Sequence, residues 1–191
     1  EIIRERIDNE HMLYSMMKIS AERKGNSVNF NGEVTPGVYY GEAGQKEPSE
    51  RMLAIAALLE GTPLHYHMQE DIIRDLWLKF ALNISYNLPQ AILSVGFGAY
   101  ADSEYVARIS ECLNAEVEAV AAAKGIDITT KSTEGKPSTS AKTARYSTLQ
   151  DLDAKRETEI EMFSGTLVRL GKELGIETPF NEFAYHIIRC L

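Results

Sequence analysis

Apolar residues change their period along this chain, and that change limits the fold more than any other feature. Up to about His67 the pattern is short and alternating. Ser27-Val28-Asn29-Phe30-Asn31 puts an apolar residue at every second position, the period of a half-buried strand. Val38-Tyr39-Tyr40 and Leu64-His65-Tyr66-His67 read as further short strands. Asn31-Gly32 and Pro36-Gly37 are turn dipeptides, so antiparallel strands are expected around Pro36-Gly37. One helix interrupts this region, over Glu50 to Leu59, with Ser49 as its cap and Gly61 as its stop. Upstream, Ile2 to Lys24 carries Met12, Met16 and Met17, which fit one face of either a helix or a strand.

From Gln69 onward the period is that of a helix. Asp71 to Leu88 carries Trp77, Phe80, Ala81, Ile84 and Leu88 at helical spacing, and Ala91 to Tyr100 reads as a short second helix. Ser103 caps and Gly125 ends a helix from Ser103 to Lys124. Asp127 to Thr143, rich in Ser, Thr, Lys and Gly, reads as a loop. Thr148 to Leu174 is expected as one long helix ending near Gly175, and Asn181 to Cys190 as the last, after the punctuation of Thr178-Pro179. The expected fold is therefore mostly α: a small α+β part over residues 1–67, then an all-helical domain over 68–191.

Composition narrows the function. The chain has 191 residues, 44% of them apolar, enough for one domain or one and a half with a real core. A net charge of −8 repels nucleic acid and anionic lipid, so neither is expected as a main partner. No apolar run approaches the roughly 20 residues of a membrane helix. The richest stretch, Leu76 to Gly98, is interrupted by Lys79, Asn83, Asn87 and Pro89. The start carries no signal-peptide pattern, and Cys112 and Cys190 show no metal or redox spacing, so free thiols and a cytoplasmic location are expected. His65 and His67 share one strand face with Glu70 close by, but His11 and His186 are remote, so no metal site is expected. The charged start at Glu1 reads as that of a piece trimmed from a longer protein.

Two polar features do not belong in a plain core. On a wheel of about 100° per residue, Lys79, Asn83 and Asn87 stand at i, i+4 and i+8 and form one stripe of roughly 80°. Most of the remaining circumference is apolar, as in a buried helix, so these three residues face a cavity, a partner or a ligand. The alternative is the solvent face of an amphipathic helix. The second feature is Ser147 to Phe163. Ser147-Thr148-Leu149-Gln150 matches a capping box, with Ser147 at the cap. Leu149, Leu152, Ile160, Phe163, Leu167 and Leu170 define an apolar face, with Arg156 inside that arc and Glu159 at its edge. A carboxylate against an apolar seam calls for a cation, which Lys79 or Arg156 would supply. A structural Arg–Glu pair between helices is the alternative. Converging on one pocket, a lysine, two amides, a serine and a glutamate would suit a carbonyl substrate bearing a carboxylate.

Trp77-Leu78-Lys79-Phe80-Ala81-Leu82-Asn83, followed by Asn87, resembles the first helix of the C-terminal domain of ketopantoate reductases. So do Ser147-Thr148-Leu149-Gln150-Asp151 with Arg156-Glu157-Thr158-Glu159-Ile160, and Gly175-Ile176-Glu177-Thr178-Pro179-Phe180-Asn181. Pro36-Gly37-Val38 and Gly41 are similar to the hairpin before that family's helical domain. The resemblance implies an NADPH-dependent reductase of a 2-oxoacid, ketopantoate giving pantoate on the way to coenzyme A. It implies Lys79 as general acid, Asn83 and Asn87 as substrate amides, Ser147 at the substrate carboxylate and Glu159 as hydroxyl-binding or lysine-orienting acid. The helical domain would be related to that of 6-phosphogluconate dehydrogenase, and residues 1–67 would be the end of a dinucleotide-binding domain.

Three departures stand against the family pattern. The chain has no GxGxxG, and Gly96-Phe97-Gly98 in a helical context reads as packing or a bend, so the phosphate-binding half is expected outside it. Arg4-Glu5-Arg6 stands where the family has Gln-Asn-Gly, before Ile7-Asp8-Asn9-Glu10. Leu88 intervenes between Asn87 and Pro89. Two other readings remain: a related reductase acting on another 2-oxoacid, and a non-catalytic helical module that forms a homodimer with the polar stripe buried between subunits.

Overall fold

The computed structural model describes residues 12–19, 21–33, 35–129 and 142–191, with the backbone alone at 22–24. The segment Arg4 to Glu10 and most of the expected loop from Asp127 to Thr143 lie outside the described residues. The chain divides into two compact units, Glu1–Leu76 and Trp77–Leu191.

In the first unit a three-stranded sheet has the order β1 (Tyr14–Lys18), β4 (Gly37–Gly41), β5 (Tyr66–Met68). The central strand β4 runs antiparallel to β1 and parallel to β5, with Tyr14 opposite Gly41 and Val38 opposite Tyr66. A parallel pair needs a crossover, and helix α1 (Glu50–Leu59) supplies it. Ser49 accepts the Met52 N–H at 3.2 Å, the cap expected of it. The buried Tyr40 phenol donates to Met52 O at 3.0 Å and ties the helix to the sheet. Gly37 sits at φ +91°, and a Cβ there would meet His65 O at 2.0 Å, so only glycine lets the two strands start side by side.

The strand pairing differs from expectation. The segment Ser27–Phe30 (β3) does not pair with β4; it forms a separate hairpin with β2 (Ala21–Lys24), Lys24 opposite Ser27. Gly25, at φ +60°, makes that two-residue turn, so the nearer partner wins over the one beyond Pro36-Gly37. All four residues of β3 are exposed, where alternation suggested one buried face.

The second unit is helical: α2 (Ile72–Leu82), a π turn (Asn83–Asn87), α3 (Leu88–Leu93), α4 (Ala99–Asp102), α5 (Glu104–Ala123), α6 (Ser147–Asp153), a 3-10 turn (Glu159–Glu161), α7 (Ser164–Leu174) and α8 (Pro179–Cys190). The boundary between the two units falls within α2. Leu113, Val117, Val120 and Ala121 of α5 meet Ile84, Leu88, Leu149, Phe163, Leu167 and Ile188 in one core. Each of these Val, Leu, Ile and Phe side chains contributes roughly 1.5–3 kcal/mol on burial.

Two expected helices are corrected. The helix expected to stop at Leu88 runs on to Leu93 through Pro89, and beyond it only 99–100 of the expected second helix is helical, as the start of α4. Pro89 has no N–H for Ser85 O, and its ring would clash with that carbonyl in a regular α-helix. The turn before it is widened to the π form, Ser85 Oγ donates to Ala81 O at 2.6 Å, and Tyr100 Oη donates to Tyr86 O. The long helix expected from Thr148 to Leu174 is broken: α6 ends at Asp153, Lys155 takes φ +54°, and a 3-10 turn precedes α7.

Candidate functional site

Lys79 lies half-buried in the last turn of α2, and Asn83 and Asn87 open and close the π turn. A π turn advances less per residue than an α turn, so it resets where Asn87 stands relative to Lys79 and Asn83. Asn87 is only 5% exposed and donates from Nδ2 to Ser147 Oγ at 3.3 Å, across sixty residues of sequence. A buried amide and a partly exposed hydroxyl thus meet at the start of α6.

Ser147 is not the cap expected of it. Tyr146 holds the N-cap position without a side-chain bond, Ser147 is the first helical residue, and its hydroxyl serves Asn87 instead. Gln150 closes no capping box; its Nε2 donates to Arg145 O at 2.5 Å. The neighbouring Thr148 buries Oγ1 with no partner among the described residues, at a cost of about 1–3 kcal/mol.

Glu159 and Arg156 are not at an apolar seam. Both are exposed. Arg156 forms a fork on Asp151 Oδ1, with Nη2 at 2.7 Å and Nε at 2.9 Å, in place of an Arg–Glu pair. The backbone of Glu159 shapes the chain: its carbonyl accepts the N–H groups of Met162 and Phe163 at 2.9 and 3.0 Å.

The segment that delivers Ser147 is held from three sides, and of these contacts sequence reading anticipated only packing at Gly96-Phe97-Gly98. Phe97 N donates to Ala144 O at 3.0 Å and Gly98 N to Lys142 O at 2.8 Å. A Cβ on Gly96 would meet Lys142 O at 2.6 Å, so Gly96-Phe97-Gly98 is packing for this segment, but in a loop rather than a helix. Gln90, fully buried on α3, donates from Nε2 to Ala144 O at 3.0 Å and accepts the Tyr146 N–H on Oε1 at 2.7 Å. Phe97, Tyr86, Tyr100 and Tyr146 pack ring against ring, Phe97 on Tyr146 at 5.9 Å and Tyr86 on Tyr100 at 5.0 Å. Burial, with the neighbouring Tyr86 phenol, pushes the Tyr146 phenol up to about 12. One signal for Gln90 was present: a lone amide within Leu88-Pro89-Gln90-Ala91-Ile92-Leu93, one turn after Asn87.

A dinucleotide does not fit the strand-to-helix turn between β4 and α1. Glu42 and Glu47 lie within it and Glu50 opens α1, and Ser49 already occupies the Met52 N–H that would face a phosphate. Among the described residues no group of three or more His, Cys, Asp or Glu could hold a metal, and His67 Nε2 is engaged with Pro36 O at 2.9 Å. Cys112 and Cys190 are free thiols. No described helix is long and apolar enough to cross a membrane.

An all-helical domain entered through a π turn is the class the fold defines, and comparison with known proteins agrees. Residues 71–191 match the family described as ketopantoate reductase PanE/ApbA C terminal. The 2-dehydropantoate 2-reductase of Pyrobaculum aerophilum is 31% identical over 71% of this chain and 49% of its own length. That of Vibrio cholerae is 33% identical over 63% of this chain and 42% of its own. The crystal structure of a PanE/ApbA family ketopantoate reductase from Ralstonia eutropha superposes with a TM-score of 0.79 at 23% identity, covering 93% of this chain and 58% of that one. D-mandelate dehydrogenase, solved with NADH and anilino(oxo)acetate, has the same fold, with a TM-score of 0.78 at 20% identity over 99% of this chain and 62% of that one. The chain belongs to the ketopantoate reductase family, and it spans about half the length of the curated relatives it matches.

Proposed function

We propose that this chain supplies the substrate side of an NADPH-dependent 2-oxoacid reductase whose substrate is ketopantoate, with residues 1–67 closing a dinucleotide-binding domain and 68–191 forming the catalytic helical domain. Asn87 and Ser147 hold the substrate carboxylate, Asn83 orients the ketone, and Lys79 donates a proton to the ketone oxygen as charge develops there. Glu159 binds a substrate hydroxyl at the rim. No step through the dinucleotide is assigned to this chain, because its strand-to-helix turn does not suit one. The observation that carries the reading is the Asn87–Ser147 hydrogen bond: it joins two remote segments, each bearing a residue of the polar set, within a chain of this family.

A substrate panel with the full-length protein tests it. Reduction of ketopantoate with NADPH, at a kcat/KM well above that for aryl 2-oxoacids, is the expected result. Preference for an aryl 2-oxoacid would reassign the substrate within the class. No NADPH oxidation with any 2-oxoacid would remove the enzymatic reading, and a dimer indifferent to pantoate would then leave the assembly module.

A further inference from the structure

We infer that Gln90 is the positioning residue of the Asn87–Ser147 pair, acting on the substrate through Ser147 without touching it; this rests on the reading of that pair as the carboxylate site. Gln90 stands three residues after Asn87, beyond the π turn, so one stretch of helix presents two amides to one incoming strand of chain. The first amide takes the Ser147 hydroxyl. The second takes the backbone on either side of Arg145, with its oxygen at Tyr146 N and its nitrogen at Ala144 O.

That geometry fixes which way the amide faces, since an N–H needs the oxygen and a carbonyl needs the nitrogen. It also explains a buried glutamine amid apolar residues, with both its amide oxygen and its amide nitrogen hydrogen-bonded. A leucine or methionine would fill the space, but it would leave the Tyr146 N–H without its acceptor and the Ala144 carbonyl with the Phe97 N–H alone. Tyr146 is the N-cap of α6 and has no side-chain bond of its own, so the Gln90 oxygen is what registers the first turn of that helix. Shifting that turn moves Ser147 Oγ, whose bond to Asn87 at 3.3 Å has little length to spare. Buried amide pairs of this kind specify one arrangement of the backbone among several that packing would allow.

A double-mutant cycle in the full-length protein tests this. Gln90→Met keeps volume and removes both bonds. It is expected to raise KM for the 2-oxoacid about tenfold, with kcat changed less and KM for NADPH unchanged. Ser147→Ala is expected to raise the same KM. In the Ser147→Ala background, Gln90→Met should add almost nothing, because the group it positions is gone. Gln90→Glu keeps the acceptor for the Tyr146 N–H; it should show a smaller rise that also vanishes in the Ser147→Ala background, and it carries the test if Gln90→Met does not fold. Additive effects, or an unchanged 2-oxoacid KM in both Gln90 variants, would overturn the positioning role while the site stands. An unchanged KM in Ser147→Ala alone would overturn the site reading itself.

Discussion

At the scale of single residues, Glu116 shows how one side chain fastens two helices. It is 8% exposed on α5 and accepts the Phe180 N–H at 2.8 Å, the Asn181 N–H at 2.9 Å and Asn181 Nδ2 at 2.7 Å. Thr178 at the N-cap of α8 makes no side-chain bond, so Glu116 caps that helix from a distance, with a negative charge at its positive end. Glu116→Ala is expected to cost about 3 kcal/mol in denaturant unfolding, and Glu116→Gln less, because one acceptor oxygen survives. Lys79→Ala in the full-length protein is expected to lower kcat on the order of 10²-fold, as for a lost general acid; an unchanged kcat would take the proton-donor role from Lys79. That Lys79, Asn83 and Asn87 stand on one continuous helical stretch was legible because helical period is local, but the π turn that resets Asn87 was not. The roles of Glu116 and Gln90 were not, because their partners lie 64 and 56 residues away.

At the scale of elements, capped boundaries were readable and broken interiors were not. Ser49 and Ser103 cap α1 and α5 where expected, since the cap bond closes within three residues. The interval between α6 and α7 keeps a helical period in Leu149, Leu152, Ile160 and Phe163, although the backbone leaves the helix at Lys155. Those side chains reach the same core because that core is contiguous, and a period cannot tell one long helix from two that share a face. The aromatic cluster joining the π turn, α4 and the segment before α6 gives an alkaline signature. The Tyr146 phenol, held up to about 12, and Tyr100, raised further by burial, keep their protons longer folded than unfolded. Stability should therefore be intact below the ordinary phenol value of about 10 and fall as pH rises from there. Denaturant midpoints taken across that range check it, with Tyr146→Phe expected to flatten the fall.

At the scale of the whole molecule, this chain assayed alone is expected to show no NADPH-dependent turnover of ketopantoate, since it contains no GxGxxG and its strand-to-helix turn is acidic. Measurable turnover by the chain itself would contradict that. The residues by themselves determined the change from short alternating segments to helices near residue 70 and the family, because propensity, period and motif spacing are properties of neighbours. Only the tertiary structure decided that Ser147 meets Asn87 and caps nothing, that β3 pairs with β2, and that Pro89 widens a helix without ending it. Each of these was a choice between nearly equal local options, and the choice was made by which distant groups the packed core could bring within hydrogen-bonding reach.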